Sequence, residues 1–94
     1  MVESRADRRA GRRERVLVIF GEAHVEAALD LLELTELAWH DCYEAVSPSE
    51  AVIDDILLCS RGDLDGLIRA ARVAVTDTRD LSLWAQAERT RDSR

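Results

Sequence analysis

Ninety-four residues with 47% hydrophobic content and a net charge of −6 describe one small folded domain, not a disordered chain. Two cysteines exclude a multi-disulfide scaffold, and no run approaches the roughly 20 apolar residues of a membrane span. The charge is uneven: residues 1–15 carry six arginines against three acids, a balance of +3, residues 16–80 stand at −10, and the remainder at +1.

All 13 basic side chains are arginine, and lysine and asparagine are both absent. That bias is expected of a GC-rich bacterial genome, so arginine by itself does not signal phosphate binding. No secretory or membrane signal is visible, which gives a cytoplasmic expectation with Cys42 and Cys59 as reduced thiols. The polar ends leave roughly 65–75 residues to pack, a size at which self-association is a common source of added stability.

In chain order, residues 1–15 have almost no apolar side chains and are expected to form a basic, disordered arm. The run Val16-Leu17-Val18-Ile19-Phe20, closed by Gly21, reads as a short strand or extended arm, or else as a start to the following helix. A lone strand needs a partner for its backbone groups, and its copy in a second subunit would serve. From Glu22 to about Glu44, Val25, Ala28, Leu29, Leu32, Trp39 and Tyr43 recur at helical spacing, with Leu31, Ala38 and Cys42 widening the stripe. Leu34 and Leu37 fall on the opposite, charged side.

Ser47-Pro48-Ser49-Glu50 has the form of a capping box with Ser47 as N-cap, predicting a helix from Pro48 to about Ser60. That helix is apolar nearly all round, with Ala51 and Leu58 on a second stripe, as expected of a central or shared element. Arg61-Gly62-Asp63 supplies a stop and a new N-cap. Leu64, Leu67, Ile68, Ala71, Ala74 and Val75 form the next stripe. Asp77-Thr78-Arg79-Asp80 is expected to interrupt it, with a last helix from Leu81 carrying Leu83 and Trp84, although the spacing also permits one bent helix over 64–89.

The organisation is thus a basic arm at 1–15, a single helical domain at 16–90 and a flexible tail at 91–94. The fold class is all-α: a small three- or four-helix bundle with short loops and an N-terminal extended arm or strand. The strand–helix–helix order is similar to that of the ribbon-helix-helix DNA-binding dimers, from which the long first helix and wholly apolar strand depart.

Chemistry-bearing constellations are few. Glu36, His40 and Glu44 share a helix face at metal-ligand spacing, yet no second histidine joins them: His24 lies about 24 Å away along a helix. His40 and Cys42 point to different helix faces and make no nucleophile–base pair. Cys42 and Cys59 are expected in the core. No phosphate-cradling glycine loop, nucleophile elbow or paired CxxC is present, so no enzyme, cofactor or metal is expected. Arg8, Arg9, Arg12, Arg13 and Arg15 are candidate phosphate contacts for a nucleic-acid-associated regulator, diluted by three acids and lacking aromatic side chains for stacking. The leading expectation is a non-enzymatic helical interaction or accessory subunit, self-associating or bound to a protein partner. Its interface candidates are Val16, Val18, Phe20, Leu34, Leu37, Ala51, Leu58 and Trp84.

Overall fold

Ser4 opens the first helix. Its hydroxyl accepts from the Asp7 backbone N–H at 3.1 Å while the Asp7 carboxylate accepts from the Ser4 N–H at 3.3 Å, so two otherwise orphaned donors are satisfied. The helix, α1, runs Arg5–Phe20 without a break. From Arg5 onward the expected basic arm and the expected apolar strand are therefore one helix, and residues 1–3 of the arm lie outside the described residues. Arginine and alanine favour it locally, and Arg8, Arg12, Val16 and Phe20, each four residues apart, share one stripe. Of these, Arg12, Val16 and Phe20 are buried. The β-branched residues that suggested a strand are carried by that continuous buried stripe, since tertiary packing overrides local propensity.

The computed structural model describes residues 4–45 and 47–92. Among these residues the fold is all-α, and α1 is followed by α2 (Val25–Tyr43), α3 (Glu50–Ser60), α4 (Leu64–Thr76) and α5 (Thr78–Asp92). Five helices replace the three or four expected, because α1 was not counted and residues 64–89 divide into two. The division falls at Asp77, whose side chain accepts from the Arg79 backbone N–H at 2.9 Å and starts α5 three residues before Leu81. No strand occurs among the described residues, which removes the ribbon-helix-helix likeness. Arg91 and Asp92 continue α5, and the rest of the expected tail lies outside the described residues.

The boundary at Pro48 also differs from its expected form. The N-cap of α3 is Ser49, whose hydroxyl accepts from the Val52 N–H at 3.3 Å. Ser47 and Glu50, the two halves of the expected capping box, instead face α1 and hold its arginines. A charged partner across the fold outcompetes a local cap.

Val16, Phe20, Leu29, Leu32, Ile53, Ile56, Leu57, Leu67, Leu81 and Ala85 form one core drawn from all five helices. Where α3 turns into α4, Arg61 and Gly62 both adopt positive φ, at 55° and 74°. The return brings Gly66 so close to the preceding helix that a Cβ there would lie 2.4 Å from the Ser60 carbonyl oxygen. At the far end of α2, Trp39 and Tyr43 pack ring against ring at 4.3 Å, and the Tyr43 hydroxyl donates to the Ala74 carbonyl at 3.0 Å. That contact places the C-terminal ends of α2 and α4 together.

Candidate interaction surface

The α1 arginines face carboxylates of α2 and α3. Arg9 binds Asp30 at 2.8 Å and Glu26 and Glu33 at 3.1 Å, and Arg13 pairs with Glu26. Arg15 spans Glu50 and Asp54, while Arg8 pairs with Glu36. Arg12 is the buried member: its guanidinium donates to Glu36 at 3.0 Å, to Ser47 at 3.2 Å and to Glu50 at 2.9 Å. Ser47 passes its own hydroxyl proton toward Glu36 at 2.8 Å. All five candidate phosphate contacts thus hold carboxylates of their own chain.

The pairing sets the acid–base properties of this seam. Burial alone would raise the Glu36 carboxyl, but hydrogen bonds from Arg8 and Ser47 and the charge of Arg12 outweigh it and hold Glu36 below the ordinary carboxylate range. Glu50 follows the same logic, with Arg12 and Arg15 overcoming its burial. Hydrogen bonds from Arg13 and Arg9 lower the exposed Glu26. Spacing along α2 puts Glu36 on one helix face with His40 and Glu44. The structure buries Glu36 against arginines and leaves His40 and Glu44 exposed, so the three are not gathered as metal ligands. Among the described residues no group of three His, Cys, Asp or Glu side chains could hold a metal ion.

Cys59 is buried, and desolvation pushes its thiol up to about 11. Cys42 departs from expectation and is exposed. Trp39 occupies the inward side of the last turn of α2, and Cys42, three residues on, follows the exposed Asp41 and precedes the exposed Tyr43. The two thiols are both free.

Of the expected interface residues, Val16 and Phe20 are core and Trp84 is half-buried, donating from Nε1 to Glu88 at 3.3 Å. Val16 and Phe20 continue the α1 stripe that buries Arg12. Val18 is 81% exposed and lies beside Leu58, along a cleft of about 620 Å³ between α1 and α3 that Gly11, Glu14, Arg15 and Asp54 also line. Ala51, one turn earlier on α3, is exposed.

Leu34 and Leu37 project outward as the sequence implied. Leu34, 60% exposed, forms one wall of a groove of about 260 Å³ between α2 and α4. Leu31, Thr35, Ala38, Ala71 and Val75 line it, and Ile68, 50% exposed, forms the opposite wall. Among the described residues Arg72 is the only charged side chain along it. By its spacing Ile68 belongs to the apolar stripe of α4, yet it is exposed. The stripe from Leu64 to Val75 is wider than a single neighbour can cover, and that excess width was the signal for an outward Ile68. No protein-family model, curated protein or solved structure matches this chain.

Proposed function

We propose that this chain is a non-enzymatic helical interaction subunit that docks protein through the outer face of α2 and α4. The observation that carries the reading is the groove between Leu34 and Ile68, large apolar side chains standing in water over a floor of Leu31, Ala38, Ala71 and Val75. A single exposed leucine means little, since more than half of any protein surface is apolar. A contiguous apolar face with charge at its edge is the usual form of a protein-binding site.

The internal pairing of the α1 arginines favours this reading over phosphate binding. Nucleic acid would have to displace carboxylates already held at 2.8–3.1 Å by Arg9 and Arg12.

The test compares the full chain with a Leu34→Glu/Ile68→Glu variant, both first shown to be folded by circular dichroism. Association, whether with a second copy or with another protein, is expected for the wild type and lost in the variant. Equal behaviour of the two in sedimentation and in affinity purification would overturn the reading.

A further inference from the structure

We infer that α1 is divided at Gly11 into a docked C-terminal half and an ion-pair latch, residues 5–10, which opens away from α2 while the rest of the helix stays in place. The α2/α4 groove takes no part in this motion.

The two halves of α1 are attached by different forces. Arg12, Val16 and Phe20 are buried, and Val16 and Phe20 belong to the core. From Arg5 to Ala10 no side chain is buried, both alanines are exposed, and the two half-covered residues are Arg8 and Arg9. Arg8 pairs with Glu36, and Arg9 holds Asp30 at 2.8 Å and Glu26 and Glu33 at 3.1 Å. The Glu26 and Asp30 side chains are 57% and 67% exposed, so those pairs face water. Pairs of that kind hold weakly and are screened by salt.

Gly11 stands where the ionic attachment gives way to the apolar one. A Cβ there meets nothing within 4 Å, and its φ is not among the positive ones, so neither packing nor backbone geometry calls for glycine. Inside a helix glycine loosens the backbone relative to alanine, which suits a hinge. A segment as short as 5–10 cannot hold a helix alone once it leaves its seat, so opening also exposes its backbone amides.

The seam beneath the latch favours opening. Glu36 Oε2 accepts from Arg8, from Arg12 at 3.0 Å and from Ser47 at 2.8 Å. Glu36 Oε1 and Arg12 Nε, both buried, have no hydrogen-bond partner among the described residues. Buried polar atoms left unpaired are costly. Lifting Arg8 off Glu36 admits water to this seam, while Arg12 and Ser47 keep Oε2 paired.

Amide exchange of the full chain, read residue by residue by NMR at about 0.1 M and about 1 M sodium chloride, tests this; the screening length falls from about 10 to about 3 Å between the two. Exchange at Arg8, Arg9 and Ala10 is expected to accelerate roughly tenfold or more relative to Val16–Phe20, the effect of weakening several exposed pairs together. Arg9→Gln should accelerate the same amides at low salt and remove most of their salt response. Gly11→Ala should slow them roughly threefold or more, because the hinge then costs more to unwind. Exchange at residues 8–10 that ignores salt would mean ordinary fraying of a helix end and would overturn the inference. Acceleration of all of α1 together would overturn it as well, since the helix would then leave as one piece. No response of these amides to Gly11→Ala would remove the hinge from Gly11 and overturn the division of α1 there.

Discussion

Arg12 on α1 and Glu36 on α2 meet at 3.0 Å with 3% and 2% of their side chains exposed. A buried pair of this kind is weak evidence for stability, because desolvation offsets most of the attraction, and here the Arg12 Nε and Glu36 Oε1 atoms have no hydrogen-bond partner among the described residues. Breaking one side is another matter. Glu36→Leu leaves two arginines facing an apolar wall and is expected to cost about 3–5 kcal/mol in urea denaturation. Arg12→Met combined with Glu36→Leu should recover more than half of that loss. Additive losses would show that Arg12 and Glu36 contribute independently and are not coupled as a pair.

Acid should release α1 first. Glu36, Glu50 and Glu26 are all held below their ordinary value of 4.5 by α1 arginines. Groups whose folded pKa is depressed contribute stability that is complete above the unfolded pKa and is lost as pH falls through the folded one. Thermal stability is expected to be level from pH 8 to about 5.5 and to decline below about 4.5. Amide exchange in the Arg5–Arg12 half of α1 should accelerate before exchange in α3, because only the C-terminal half carries Val16 and Phe20 into the core. Stability that rises on acidification, or α3 opening together with α1, would contradict this assignment.

Most of the core could be read from the chain, and α1 could not. Helical spacing in α2 to α4 named Val25, Leu29, Leu32, Ile56, Leu67 and Ala74, which are buried, and it left Leu34 and Leu37 outside. Each of those stripes is apolar, so periodicity alone reveals it. The α1 stripe mixes Arg8 and Arg12 with Val16 and Phe20, and its binding partners Glu26, Glu36 and Glu50 lie 13 to 38 residues away in sequence. A hydrophobicity pattern registers no helix in arginines whose burial depends on acids from other elements. The interaction face was half legible for the complementary reason: Leu34 breaks a charged row and stands out, whereas Ile68 extends an apolar row and does not.

The two thiols should differ sharply toward a charged disulfide reagent. Cys42 is exposed and Cys59 is buried, with its thiol pushed up to about 11. Thiolate is the reacting form, so at pH 8 one equivalent is expected to react quickly in the native protein and the second only after denaturant is added. Cys42→Ser should remove the fast phase entirely. Fast reaction of both thiols in the native state would mean that α3 opens far more readily than its packing against α4 and α5 implies.

Two helical glycines offer opposite outcomes for the same substitution. Gly11 lies mid-helix on the exposed side of α1, and a Cβ there meets nothing within 4 Å. Gly11→Ala is therefore expected to raise stability by about 0.5–1 kcal/mol through helix propensity. Gly66 is buried in the first turn of α4, and the same Cβ would lie 2.4 Å from the Ser60 carbonyl oxygen, a backbone atom that no side-chain rotation can move. Gly66→Ala must separate α3 from α4, with a loss of about 1–3 kcal/mol or more. Because Ile68 stands only two residues further along α4, that separation should also disturb the α2/α4 groove and weaken any association through it, while Gly11→Ala leaves association unchanged. Paired urea melts and sedimentation runs on the two variants decide the matter. Equal stability of the two would contradict the close approach of α3 to α4.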